Sequence, residues 1–430
     1  MLAPLRILVD VSKLILPIEA PFEYELELPG SKSIALRQLL ISALASEDST
    51  IFGIPPCEDV DAMLDCLKRL GMQFVGTLVD GLHITPDFNL DDDVELDARQ
   101  SGVSLRLLLA TAALRRGETR FTGHVSLANR PNAALLDAIK LLGCMVESND
   151  GRLPITIHSA PTNNSSTRLD PTLSSQYLSA LLIAGAKFRN GLEINLLDQV
   201  ASAQYAAGTI GEIEKRGVVI HKSKDDADYK IDPQTYQGGD IQIEGDASSA
   251  TYHMALATLH GGTVHLTNLG STSWQPDNAF TKICERLGAI IEQQDSRTTI
   301  QGPTQLKSIR SVDMSEMPDA APTLMAMSPY LPDAIEITGL STLRHKECDR
   351  IACPARELGR AGIRTEEGSD YLRISPGTPK PTEFDTHDDH RMAMSLAVLA
   401  SKTAGCRIND PLCVNKTYTD FWRDMSLAYV

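Results

Sequence analysis

Residues 34–53 read IALRQLLISALASEDSTIFG, a helix-like apolar stretch followed by a β-rich segment that closes on Gly53. The same pattern recurs in SLRLLLATAALRRGETRFTG, SQYLSALLIAGAKFRNGLEIN, SATYHMALATLHGGTVHLTN, APTLMAMSPYLPDAIEITG and RMAMSLAVLASKTAGCRIND. Its closing residues are Gly53, Gly123, Asn195, Asn268, Gly339 and Asn409, about 70 to 73 residues apart. A second series is interleaved with it: LKRLGMQFV, IKLLGCMVE, IEKRGVVIH, CERLGAIIE and LGRAGIRTE. Each is an amphipathic helix end, a glycine and then a strand. The glycines Gly71, Gly143, Gly217, Gly288 and Gly362 suit the position just past a helix, where a positive φ costs glycine least. The expected fold class is therefore α/β, with six repeats of about 72 residues, each holding two helices and several strands. A sixth copy of the second series would fall past the end of the chain, so the N-terminal strand within Leu5 to Leu16 is expected to complete the last unit.

The bulk properties limit the function. At 430 residues the chain is too long for one ordinary core. The net charge of −16 argues against a general nucleic-acid binder, while a few cations focused in one cleft still suit anionic small molecules. No apolar run approaches the ~18 residues needed to cross a bilayer, and Asp10 and Lys13 interrupt the N-terminal apolar stretch, so no secretory signal is expected. The eight cysteines have no CxxC pair and no metal-ligand spacing. They read as reduced thiols of a cytoplasmic protein without metal or cofactor.

The residues just before the six repeated helices carry the chemistry. They are Gly30-Ser31-Lys32-Ser33, Gln100-Ser101-Gly102-Val103-Ser104, Ser174-Ser175-Gln176, Gly245-Asp246-Ala247-Ser248-Ser249, Pro318-Asp319-Ala320 and Asp388-Asp389-His390-Arg391. Serine, glycine and aspartate there are ordinary helix caps. Lys32 and Arg391 are not, because the helix dipole disfavours a cation at the N-terminus unless an anion lies between. Six such ends meeting at one place would form an anion-binding centre.

Seven motifs in order, LPGSKSIALR, SSQYL, GDASSA, MPDAAPT, LRHKECDRIA, DDHRMAM and NKTYTDF, resemble the motif set of the 5-enolpyruvylshikimate-3-phosphate synthase family. They run from Leu28 to Phe421, nearly the whole chain. The resemblance implies two similar domains, each of three βαβαββ-type units in an inside-out α/β barrel. One domain would be residues 28–243 and the other 1–27 with 244–430, the chain crossing twice between them. It implies transfer of the enolpyruvyl (carboxyvinyl) group of phosphoenolpyruvate to the 5-hydroxyl of shikimate 3-phosphate, with release of phosphate, in aromatic amino-acid biosynthesis. Phosphoenolpyruvate and shikimate 3-phosphate are the expected partners of a monomer that binds neither nucleic acid nor membrane.

Residue by residue, the resemblance makes Asp319 the base for the attacking hydroxyl and Glu347 its acid–base partner, with Lys32 touching both substrates. Lys32, Ser33, Arg37, Ser174, Ser175, Gln176, Ser202, Tyr205, Asp319, Thr342 and Lys346 would hold shikimate 3-phosphate. Lys32, Gly102, Arg130, Gln176, Arg350, Arg391 and Lys416 would hold phosphoenolpyruvate. Ser33 and Arg37 are i,i+4 and share a helical face. Pro131 is expected in the first turn of the helix through Leu142, Asp319 also reads as a helix cap, and His390 as a hydrogen-bonded structural residue. The chain departs from the family pattern at Leu36, Gln100, Val103, Ala207 and Thr342. The alternatives are a UDP-N-acetylglucosamine enolpyruvyl transferase, which typically has Lys-Asn where this chain has Lys32-Ser33 and a loop cysteine where this chain has none between Cys66 and Cys144, and a non-catalytic paralogue.

Overall fold

The six repeated stretches are helices that are apolar almost all the way round, and such a helix must be enclosed on every side. In the computed structural model, which describes residues 12–88, 91–159 and 164–430, they are Lys32–Ala43, Gly102–Ala112, Ser175–Gly185, Ala247–His260, Ala321–Met327 and His390–Ala400. Every residue from Ile34 to Ala43 and from His390 to Ala400 is buried. The interleaved helices Glu58–Arg69, Ala133–Leu141, Ala203–Glu214, Phe280–Leu287 and Ala352–Arg360 lie between these helices and the outside. Gly71, Gly143, Gly217, Gly288 and Gly362 follow them with φ of 96°, 97°, 78°, 108° and 82°, the left-handed geometry expected at each position.

Each unit adds a small sheet. Val94–Asp97 runs parallel to Gly117–Thr122, which pairs antiparallel with Arg152–Ser159, itself antiparallel to Met145–Asn149. The same order recurs from Ser166 to Ile231 and from Ser311 to Ile374. The other three units take a strand from far along the chain. Gly239–Gln242 lies parallel on Ser49–Phe52, Glu23–Leu26 lies parallel on Thr263–Leu266, and Lys13–Ile15 lies antiparallel on Cys406–Ile408. The N-terminal strand thus completes the last unit; the rest of the stretch predicted from Leu5 lies outside the described residues. Among the described residues the strands form six separate three- and four-stranded sheets rather than one closed barrel. No described helix is long and apolar enough to cross a membrane.

The buried apolar side chains form two cores, one from Ile34 to Ile243 and one from Ile15 to Leu28 together with Ala247 to Ala428. The two segments that pass between them lie side by side: Ser31 N–H donates to Glu244 O at 2.7 Å and Asp246 N–H to Pro29 O at 2.9 Å. Glycine is required at residue 30, where an added Cβ would sit 1.8 Å from the Gly53 carbonyl oxygen. The crossing therefore delivers Lys32 and Asp246 to the same place, and Lys32 N–H donates to Asp246 Oδ2 at 3.2 Å.

Local expectations were corrected at two points. Pro131 lies before the cap residue Asn132, and the helix begins at Ala133, because Asn132 is non-helical, with φ −137° and ψ 6°. Asp319 sits in a single 3₁₀ turn, Pro318–Ala320, and caps nothing, since both of its oxygens are committed to cations.

Trp274 belongs to the second stretch of sequence but packs on the first core. Its indole N–H donates to Glu212 Oε1 at 2.9 Å, and a Cβ on Gly208 would lie 2.0 Å from the ring. Gly208→Ala should therefore lower the thermal unfolding midpoint, with overpacking costing about 1–3 kcal/mol, more than the ~1 kcal/mol that alanine gains in helix propensity. A midpoint that stays or rises would show that the indole is not fixed there.

Candidate active site

The six helix N-termini meet. Lys32, Gly102, Ser174, Gln176, Asp319, His390 and Arg391 line one cavity of about 60 Å³. Ser33, Arg37, Ser175, Ser202, Tyr205, Asp246 and Ser248 line a second of about 80 Å³. The two share Lys32, Ser174, Gln176, Asp319, Thr342, Lys346 and Arg391, so they form one continuous site. Five of the ends are capped by their own side chains, Ser31, Ser101, Ser174, Asp246 and Asp389. Capping and site formation are thus done by the same short segments.

At the centre is Arg350, 1% exposed, whose guanidinium meets three carboxylates. Nε and Nη2 donate to Asp389 at 2.7 and 3.0 Å, Nη1 to Asp319 Oδ1 at 3.1 Å, and Nη2 to Glu347 Oε2 at 2.7 Å. Asp319 Oδ1 also faces Lys346 Nζ at 3.4 Å, and its Oδ2 accepts from Arg391 at 3.1 Å. Glu347 Oε1 pairs with Arg130 at 3.1 Å and Lys416 at 2.9 Å. Burial alone would raise both acids, but Arg391, Lys346 and Arg350 hold Asp319 far below the usual carboxylate range, and Arg130, Lys416 and Arg350 do the same for Glu347. Lys346, whose ammonium is partly stripped of water, is held below its ordinary value by burial.

The expected residues are brought together, with one at the margin. Lys416 does not line either cavity; it sits behind Glu347 and donates to Gln100 O at 3.1 Å, tying the two cores together. Ser202, at φ +52°, likewise donates to Ser315 O at 2.9 Å. Lys32 pairs with buried Asp59 at 3.0 Å; burial would lower its ammonium, but Asp59 prevails and holds it above the ordinary value. The Ser33–Arg37 pairing is present, Nη1 donating to Ser33 Oγ at 2.9 Å. Arg37 is fully buried with only Thr209, Ser33 and Ser179 as hydrogen-bond partners and has no salt bridge among the described residues. Burial lowers it to about 10, and an anion is what such a site lacks. Gly102 leaves room for its neighbour, because a Cβ there would meet Arg130 Nη1 at 2.9 Å and the guanidinium would have to shift.

His390 differs from expectation. It is buried, but neither ring nitrogen has a hydrogen-bond partner among the described residues, and burial, helped by Arg391, Lys416 and Lys32 against the opposing charge of Glu347, keeps it neutral. The nearest acceptor, Asp389 Oδ1, lies 3.6 Å from Nδ1 and is already taken by Arg350 Nη2 and Arg391 N–H.

Arg106 was not singled out in the sequence. It lines the cavity, stacks on Tyr177 at 5.2 Å, and donates to Gln176 Oε1 at 2.7 Å, which turns the Gln176 amide nitrogen away from it. Its position one turn into the repeated helix was the available signal, obscured by the leucines around it. Asp59, the partner of Lys32, and Asp277, beside Ser248, were missed for lack of any local pattern.

The profile of the EPSP synthase (3-phosphoshikimate 1-carboxyvinyltransferase) family matches residues 17–425. The chain is 33% identical to 3-phosphoshikimate 1-carboxyvinyltransferase 2 of Halalkalibacterium halodurans over 412 residues, 95% of this chain and 92% of that one. It is 34% identical to the 3-phosphoshikimate 1-carboxyvinyltransferase of Shewanella sediminis, covering 93% of this chain and 96% of that one. Its fold matches the EPSP synthase of Acinetobacter baumannii with a TM-score of 0.80 at 22% identity, over 97% and 98% of the two chains. It also matches the enolpyruvyl transferase NikO of Streptomyces tendae, with a TM-score of 0.76 at 16% identity over 96% and 97%. With motifs, repeat architecture and whole-chain similarity in agreement, the chain belongs to the EPSP synthase (3-phosphoshikimate 1-carboxyvinyltransferase) family, the enolpyruvyl transferases of the shikimate pathway.

Proposed function

We propose that this chain transfers the enolpyruvyl group of phosphoenolpyruvate to the 5-hydroxyl of shikimate 3-phosphate with Asp319 as the base and Glu347 as the acid–base partner. The observation that carries this reading is that both carboxylates sit on one guanidinium, that of Arg350, and face one cation-lined cavity. Asp319 takes the proton of the 5-hydroxyl as that oxygen bonds to the enol carbon. Glu347 delivers a proton to the methylene carbon, then removes one from the methyl group as the carbon–oxygen bond to phosphate breaks, and the hydroxyl proton leaves with the phosphate.

In the empty site both acids are too well paired to hold a proton. Substrate phosphates and carboxylates compete for the same cations, Arg130, Arg350 and Arg391, and each cation they draw off makes Asp319 or Glu347 more basic. Binding thereby prepares the groups that react. Arg37, Ser33, Ser174, Ser175, Ser202, Tyr205, Thr342 and Lys346 form the shikimate 3-phosphate side, and Lys32 and Gln176 lie between the two substrates.

The two cores act as domains 28–243 and 1–27 with 244–430, a division supported by the separate buried clusters and the two exchanged strands. The protein works on these small molecules as a monomer in the cytoplasm, where eight free thiols stay reduced.

Phosphate release from phosphoenolpyruvate should depend on shikimate 3-phosphate and not on UDP-N-acetylglucosamine; release driven by the nucleotide sugar would overturn the assignment. Asp319→Asn and Glu347→Gln should each lower kcat by about 10²-fold or more while weakening substrate binding far less, as steady-state kinetics and calorimetry would show. Near-normal turnover in Asp319→Asn would remove the proposed base.

A further inference from the structure

One buried acid beside the site has no place in the mechanism above. Asp277 is 2% exposed and lies in the 3₁₀ turn Pro276–Ala279. Its Oδ2 accepts a hydrogen bond from Ser248 Oγ, and its Oδ1 has no hydrogen-bond partner among the described residues. The segment is held firmly: Gln275 Nε2 donates to Gly245 O at 2.7 Å and to Glu244 Oε1 at 2.8 Å, and its Oε1 accepts from Ala247 N–H at 3.0 Å. Asp277 is thereby fixed against the N-terminus of the helix Ala247–His260, at the point where the chain passes between cores.

Ser248 connects this acid to the site. Its hydroxyl donates to Asp277 and accepts from Arg391 Nη2 at 3.2 Å, and the same Nη2 donates to Asp319 Oδ2 at 3.1 Å. One nitrogen of Arg391 therefore has two anchors, Asp319 directly and Asp277 through a hydroxyl. The two anchors face different fates during turnover. Once Asp319 takes a proton it is no longer an anion and its hold on the guanidinium weakens. The Ser248 hydroxyl, oriented by Asp277, does not change.

We propose that Asp277, acting through Ser248, is a positioning residue that keeps the Arg391 guanidinium at the phosphoenolpyruvate end of the cavity, so that the cation is in place when that substrate binds. Burial, then the nearby charge of Asp319, pushes the Asp277 carboxyl up to about 6, and Arg391 opposes that rise. The inference rests on the reading of Arg391 as a phosphoenolpyruvate ligand.

Initial-rate kinetics on the full chain test it with Asp277→Asn, Ser248→Ala, the double variant and Arg391→Ala. Asp277→Asn and Ser248→Ala should each raise the KM for phosphoenolpyruvate about tenfold, change kcat less than about threefold, and leave the KM for shikimate 3-phosphate unaltered. The double variant should be no worse than the more affected single one, because both changes break one chain of contacts. A purely structural role would raise both KM values together or lower kcat alone, and either result overturns the proposal, as does multiplication of the two effects. If Asp277→Asn fails to fold, Ser248→Ala, which leaves the buried carboxylate in place, decides the matter. An unchanged KM for phosphoenolpyruvate in Arg391→Ala would overturn the ligand reading and the anchor with it. A raised KM there, with none in Asp277→Asn or Ser248→Ala, would overturn the anchor alone.

Discussion

The Arg350 guanidinium is buried and shared among Asp319, Glu347 and Asp389, which come from three separate segments of the chain. A charge so enclosed is tolerable only when its partners are held in place, and each partner is held by a different part of the fold. Asp389 caps the last repeated helix, Asp319 sits in the turn before the fifth, and Glu347 lies in the segment that follows the Ile335–Thr338 strand. Arg130 and Lys416 then both close on Glu347 Oε1. The cavity can hold many cations near one another because these acids neutralise them until anionic substrates take their place.

The repeat architecture explains why such a centre forms at all. Six enclosed helices point their N-termini inward, and the cap positions supply short polar side chains and free backbone N–H groups at that point. The exchanged strands Glu23–Leu26 and Gly239–Gln242 commit the chain to passing between cores beside Lys32 and Asp246. The connection that joins the two cores is thus also a wall of the site.

Much of this was legible in the sequence, because a helix, its cap and its terminal glycine are local. The recurrence of Gly71, Gly143, Gly217, Gly288 and Gly362 marked five helix ends, and the six pre-helix segments marked the site. The reading failed where a residue's meaning depends on a distant partner. Nothing near Asp59 announces Lys32, nothing near Asp277 announces Arg391, and Arg106 reads as an interruption of a leucine run until Gln176 and Tyr177 are placed against it. Asp319 looked like a cap because Pro-Asp often is one; only the arrival of Lys346, Arg350 and Arg391 gives its oxygens other work. His390 looked hydrogen-bonded because buried histidines usually are.

The central claim is that one planar, multiply bonded guanidinium organises the catalytic acids, a task a lysine ammonium cannot perform because it is a point charge without the forked donor geometry. The most direct measurement is the turnover number of Arg350→Lys per folded chain, at saturating concentrations of both substrates. The account predicts a loss of about 10²-fold or more, because Asp319, Glu347 and Asp389 can no longer be held together by one side chain. Turnover within a few-fold of the unaltered protein would show that positive charge alone suffices there, and would contradict the account.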